Sequence, residues 1–430
     1  MTTRSHTGLF VTALLGILPV AAAAQQPGAS PQPLAAIAAL SDPARTGSGS
    51  EEETETTAPL RWRAWSHATG DWSRVRERLE TRGLALGLST ISDLSAIQSR
   101  TAADHGVARL FVDVNATIGL EQLAGIRGGT AFVQFYTKVG GDGAGYAGDL
   151  QGFSNIDGPS FARIGEVWYE QTFRDGLRVK GGRVDANVDF AAVESAADFI
   201  NSSMGNSPTI VMFPTYPSPR LGLVASAAFS GHFEVAAGAY DDLEGACSEL
   251  AATTPHAFVI GEVRSRWAIG GRLPGRATAG LWRHTGHVRP ADGAPASIAQ
   301  GPLAVVEQAL WYRAGTADGA ARHLTVFAQY GSAAGVIDAI GRHFGAGIVW
   351  RGPSAKRPDD VLGIAATSVA LAAVAASEAH VSETSAGVFY KRQLTPWLAA
   401  QPDVQYIVHP GGDPARRPVL ATTGRLVVEW

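Results

Sequence analysis

The sequence predicts an all-β protein: a transmembrane, up-and-down antiparallel β-barrel of about sixteen strands, preceded by a short amphipathic helix. Three observations carry this. Apolar and polar residues alternate with period two in about sixteen segments. The connections between them are mostly tight after even-numbered segments and longer after odd-numbered ones, the asymmetry of outer-membrane barrels. The last segment, "TGRLVVEW", alternates Gly424, Leu426 and Val428 with Arg425, Val427 and Glu429 and reaches a large aromatic, Trp430. An amphipathic ring is favourable at a membrane interface.

Residues 1–24 combine Arg4, an apolar run from about Leu9 to Val20 and small residues up to Ala24, which reads as a cleaved secretory signal. The formal charge of −4 becomes −5 without them, because Arg4 leaves and no acid does. That balance offers no basic footprint for nucleic acid. Cys247 is the single cysteine, so no internal disulfide framework exists. After the signal, no apolar run reaches the about 18 residues of a membrane-spanning helix.

Residues 25–66 are Pro/Ala-rich and then acidic ("SGSEEETETTAP"), a composition that buries too little apolar surface to fold and predicts a flexible linker. The stretch 67–82 contains "DWSRVRERLETRG". Asp71 is placed to cap a helix and Gly83 to end it, with Trp72, Val75 and Leu79 on one face and Arg74, Arg76 and Arg78 beside them. The expectation is an apolar side packed on the barrel.

From residue 83 to 430 the period is two. In "RLFVDVNATIGLEQL", Leu110, Val112, Val114, Ala116 and Ile118 oppose Phe111, Asp113, Asn115 and Thr117, which gives one greasy face. Comparable segments run from "GLALGLSTISDLS" through "ARIGEVWYEQTF", "LRVKGGRVD" and "AFVIGEVRSRW" to the last strand. A soluble β-sandwich or propeller shares such alternation, since the pattern alone does not say which face is inside.

Chemical motifs are sparse. "GAGYAG" (Gly143, Gly145, Gly148) matches a dinucleotide fingerprint but lacks the βαβ context that makes it work. The sequence has no HExxH, no paired cysteines and no GxSxG, so no catalytic, metal or cofactor site is predicted. Glu166 and Glu170 lie too far apart along a strand for glycosidase geometry and suit a polar lumen wall better. His343 and His409 read as interface or loop residues.

Several stretches resemble the carbohydrate-selective porins of the OprB type: "DWSRVRERLETRGLAL", "EVWYEQTFRDGLRVKGGRVDANVDF" followed by "DFINSSMGNSP", and "LTPWLAAQPDVQYIVHPGG". This chain has Trp430 where that family usually has Phe, and its acidic linker is unmatched. The resemblance implies a sixteen-stranded barrel in the outer membrane of a Gram-negative bacterium, working as a monomer or homotrimer. It also implies that the loop after strand five, about residues 186–218, folds inward to form a charged eyelet. Small neutral sugars are the expected solutes, outer-membrane lipid the surroundings, and the barrel-assembly machinery a partner that recognises Trp430. Sugars need charged donors and acceptors for their edges and aromatic rings for their faces. The residues expected to supply them are Arg178, Lys180, Arg183, Asp185, Asn187 and Asp189 around strand five, and Glu166, Trp168 and Glu170 on strand four. A non-selective porin, or a secreted β-rich sugar-binding or glycoside-cleaving protein, are the alternatives.

Overall fold

A computed structural model describes residues 62, 65–99, 104–173, 176–229, 231–241, 256–286, 298–315, 320–335, 340–372 and 382–430. The expected signal, most of the linker and Cys247 lie outside the described residues. Sixteen strands form one closed antiparallel barrel in sequence order. They are β1 (Leu84–Ser99), β2 (His105–Gly119), β3 (Gly129–Gly140), β4 (Phe161–Thr172), β5 (Leu177–Val184), β6 (Arg220–Ala228), β7 (Phe233–Asp241) and β8 (Ala257–Ile269). There follow β9 (Leu273–His284), β10 (Gln300–Arg313), β11 (Arg322–Ser332), β12 (Ile340–Arg351), β13 (Val361–Leu371), β14 (Ser382–Thr395), β15 (Leu398–Val408) and β16 (Val419–Glu429). The seam closes where β1 pairs with β16, from Ser89↔Glu429 to Ser99↔Val419.

Closure removes every sheet edge, the condition for crossing a membrane with strands. Alternation then sorts the residues. Leu221 and Leu281 stand 64% and 68% exposed on the outside, with Ile164, Val263, Phe344 and Ile364 also exposed. Soluble monomers rarely present a continuous apolar surface of this extent, whereas lipid covers it. No helix among the described residues is long and apolar enough to span a membrane. The exposed apolar outer face of the barrel fits a membrane barrel and not the soluble β-protein alternatives. Two connections depart from the length rule: β1 and β2 are joined by residues 100–104 alone, and β11 and β12 by residues 333–339.

The helix α1 spans Val75–Thr81. It begins later than Asp71 because Trp72, Ser73 and Arg74 all adopt left-handed backbone angles, and no side chain caps it. Gly83, at φ +88, ends it. The burial is the reverse of the expected one: Trp72 and Val75 are exposed, and Arg76 is the buried residue. Its guanidinium lies 4.4 Å from the Trp72 ring and donates to Leu86 O at 3.1 Å and Trp430 O at 2.8 Å. Leu86 is on β1, and Trp430 directly follows β16. Arg76 thus fastens the seam below its last strand pairs, beside Ala68 N→Glu429 O at 2.8 Å and Trp430 N→Leu88 O at 2.8 Å.

Hydrogen bonds from a charged donor contribute about 1.5–3 kcal/mol. Arg76→Ala should therefore lower the temperature at which the barrel loses its folded mobility on a detergent gel, and Arg78→Ala, on the exposed side of α1, should not. Equal melting of the two variants would refute the seam contact.

Candidate functional site

The segment between β5 and β6, residues 185–219, does not leave the barrel. Asp185 fixes its neck, accepting from Asn187 N at 2.8 Å, Thr215 Oγ1 at 2.7 Å and Tyr216 N at 2.8 Å. From there the chain crosses the lumen, where a backbone amide without a partner is costly. Carboxylates on the wall supply the partners. Glu166 of β4 accepts from Asp185 N at 2.9 Å, Glu262 of β8 from Ala191 N at 2.6 Å, and Glu307 of β10 from Ser195 N at 2.6 Å.

Acids on the loop repeat the arrangement with the charges exchanged. Asp189 meets Lys180 at 2.5 Å and Arg178 at 3.3 Å, Glu194 pairs with Arg276 of β9, and Asp198 meets Arg351 of β12 at 2.7 Å and Lys391 of β14 at 2.8 Å. Farther along, Gln329 donates to Ser203 O and Met204 O at 2.9 and 2.7 Å. His343 is a buried wall residue, neither interfacial nor in a loop, bonded to Ser207 Oγ at 3.1 Å and Thr367 Oγ1 at 2.7 Å. Gly331 permits this approach, because a Cβ there would strike Ser207. Phe190 packs with Trp168, Tyr240, Phe258 and Trp282 in a core that lies inside the barrel.

A second inward loop, residues 141–160 between β3 and β4, is not foreshadowed by the sequence reading. Its Asp157 pairs with Arg109, Ser154 donates to Asp93 at 2.8 Å, and Asn155 accepts from Arg425 at 2.8 Å. Glu383 of β14 accepts from Leu150 N at 2.9 Å. "GAGYAG" lies here, and Gly143 N donates to Asp157 at 2.8 Å, so its amide is already occupied. The two loops join through Asn155 N→Ile200 O at 2.7 Å and Ser202 N→Gly152 O at 2.9 Å. Phe153 and Ile156, apolar residues inside a glycine-rich polar stretch, were the available sequence signal, and both are fully buried.

The expected eyelet residues come together, but mostly as anchors. Glu166, Trp168, Glu170, Lys180, Asp185, Asn187 and Asp189 are all buried. Lys180 Nζ sits 4.9 Å from the Trp168 ring, and Glu170 lies 3.6 Å from Arg178. Arg178 keeps part of its guanidinium open to the lumen. Arg183 does not belong to the site. Alternation continues to the end of β5, so Arg183 pairs with the outward Val167 and Leu221 and donates to Gly165 O at 3.0 Å on the outer face. A cavity of about 370 Å³ remains against the wall, bordered by Arg178, Glu194, Glu234, Arg264, Arg266 and Arg276. Those on β8 and β9 follow from alternation in "EVRSRW" and "GRATAG", whose inward positions carry the charges.

Comparison with known proteins adds the following. The family model "Carbohydrate-selective porin, OprB family" matches residues 111–428. A high-pH structure of Pseudomonas putida OprB superposes with a TM-score of 0.73 at 19% identity, covering 85% of this chain and 99% of that one. A low-pH structure of the same protein gives 0.58 at 17% identity with the same coverage. At such identities the superpositions show the fold. The search of curated proteins returned no match.

Asp198 and Asp149 respond to pH in opposite senses, while Asp185 in the β5–β6 neck is raised by burial as Asp149 is. Burial opposes ionisation of Asp198, but Lys391 and Arg351 outweigh it and hold the carboxyl below its ordinary 3.8. That anchor is complete above 3.8 and weakens as pH falls through the lowered value. Asp149, in the β3–β4 loop, is pushed up to about 8 by burial and then by the neighbouring Glu383. Its contribution is complete below the ordinary value and is lost as pH rises through about 8. Raising pH from about 6 to about 9 should therefore speed amide exchange, beyond the intrinsic change, at Leu150 to Asn155 and not at Ser195 to Asp198. Uniform behaviour of both loops would contradict the assignment.

Proposed function

The chain belongs to the carbohydrate-selective porin family, OprB, and from that we propose that it passes mono- or disaccharides by saturable diffusion beside its two inward loops. It is an outer-membrane channel of the Gram-negative type rather than an enzyme. The observation that carries the proposed mechanism is the bonding of the β5–β6 loop to four sectors of the wall, at Glu166, Glu262, Glu307 and the Arg351/Lys391 pair. A loop fixed at that many points narrows the lumen permanently, so a solute must exchange water for wall contacts.

Arg178 is the residue of the expected set placed to touch solute, with Arg264 and Arg276 along the same passage. Lys180, Glu166, Asp185, Asn187 and Asp189 act behind them by holding the loop. Their guanidinium groups offer donors to hydroxyl oxygens, while the loop's Glu194 accepts. Binding of this kind must stay weak for the solute to leave. The path lies within one barrel, so assembly as a monomer or a homotrimer leaves it unaltered. Trp430, whose indole donates to Thr90 Oγ1 at 3.1 Å, serves recognition by the barrel-assembly machinery and the interface.

Glucose or a disaccharide should block ion current through the purified channel in a planar bilayer, and Arg178→Ala should weaken the block by roughly tenfold or more, the worth of one charged hydrogen bond. A wild-type channel that no sugar blocks would instead be a non-selective porin.

Trp430→Phe should reach the outer membrane normally, whereas Trp430→Asp should accumulate unassembled, because a charge is poorly tolerated at the lipid face. Equal membrane levels of the two variants would remove the assembly role.

A further inference from the structure

On the outside of the barrel, Arg313 and Arg322 stand directly opposite each other in the β10–β11 ladder. Thr325, Phe327 and Gln329 of β11 turn inward and are buried, so Leu324 and Arg322 turn to the lipid side, and their partners with them. Two like charges in that relation repel and destabilise a sheet. Arg322 is nevertheless held in place. Its Nε donates to Gly352 O at 2.7 Å, and its guanidinium lies 5.5 Å from the Trp311 ring. Arg313 is exposed beside it. Among the described residues no acid forms an ion pair with either arginine. Asp360, in the neighbouring β12–β13 turn, is taken by Tyr390 Oη and Gln393 N.

The pair lies at the edge of the lipid-facing band. Trp311 pairs with Leu324, and Leu324 with Trp350, so an apolar row with two exposed indoles borders the arginines on the same face. Amphipathic rings of this kind mark the membrane–water interface, the level at which lipid phosphates lie. The connection between β10 and β11 follows an even-numbered strand, which puts the pair at the periplasmic end, as Trp430 is.

Guanidinium groups match a phosphate with paired, charge-assisted hydrogen bonds. Two of them side by side favour an anionic headgroup over a zwitterionic one, whose ammonium would bring a third cation to the site. We propose that Arg313 and Arg322 hold the phosphate of an anionic phospholipid in the periplasmic leaflet, with its chains along Trp311, Leu324 and Trp350. The lipid supplies the counter-charge that this rung of the ladder lacks. The site is outside the barrel, so it stands whichever solute the lumen passes.

The test follows loss of folded mobility of the purified channel on a detergent gel, with phosphatidylglycerol, phosphatidylcholine or inorganic phosphate added. Phosphatidylglycerol should raise the melting temperature at roughly thirtyfold lower concentration than phosphatidylcholine, the effect of two cationic contacts at a membrane surface. Inorganic phosphate, which has no chains, should not raise it. Arg313→Gln removes the repulsion and spares both contacts of Arg322. It should melt no lower than the wild type in detergent alone, yet need about fivefold more phosphatidylglycerol for the same rise. Asp318 belongs to the connecting turn and lies outside the described residues. A preference for phosphatidylglycerol that emerges only in Asp318→Asn would mean that the chain's own carboxylate fills the site, and would overturn the proposal. Equal effects of the two lipids, an equal effect of inorganic phosphate, or an Arg313→Gln variant that keeps the full preference or melts lower without lipid would overturn it as well.

Discussion

Everything inside this barrel depends on carboxylates that accept hydrogen bonds from the backbone of an inward loop. A chain segment that crosses a lumen loses its water and gains no ladder partner, so each buried amide must be met individually. Glu166, Glu262, Glu307 and Glu383 do this from four different strands. Acceptors on the wall leave the side chains of the loop free for a second layer of contacts. Glu262 and Glu307 also meet the cations Arg264 and Arg276.

Such an arrangement leaves the cavity to one side of the lumen. The β3–β4 loop fills the sector of β1 and β14 to β16, where Asp93, Arg425 and Asn155 form a buried network with Arg425–Asp93 contacts of 2.7 and 2.8 Å. The β5–β6 loop covers the aromatic wall of β3 to β10. The cavity of about 370 Å³ lies beside the arginines of β5, β8 and β9. Selectivity is then a property of the small part of the wall that neither loop covers, so the bulk composition of the lumen is a poor guide to it.

The barrel was legible because lipid enforces strict alternation: Leu110, Val112 and Val114 must all face outward, and a one-residue slip would turn every one of them inward. Strand number, order and the position of the inward β5–β6 loop follow from that rule and from the family resemblance. The site was less legible for a physical reason. A charged residue on an inward face looks alike whether it anchors a loop or meets a solute, and Glu166, Lys180 and Asp189 turned out to be covered. Arg183 was misplaced because its charge suggested the lumen although its parity in β5 put it outside. The β3–β4 loop escaped notice since its buried apolar residues, Phe153 and Ile156, sit among glycines and follow no period. The polarity of α1 was misjudged similarly: helical spacing marked Trp72 and Val75 for burial, but the requirement at that spot is for a donor to two carbonyls.

The fastening by Arg76 bears on the order in which the chain can fold. Every strand pairs with its neighbours in sequence except at β1 and β16. The sheet can therefore zip from hairpin to hairpin, each step closing a short loop. Arg76 and Trp430 are 354 positions apart, and their contact is available only when the whole circuit is complete. Loop-closure entropy for that single step is modest, since it grows only with the logarithm of length. Ordering fifteen earlier pairings first, however, brings the two ends together at little further cost. A bond made only after the circle closes does little to start folding; it slows the reopening of a finished ring, and so sets how long the barrel persists rather than how fast it forms.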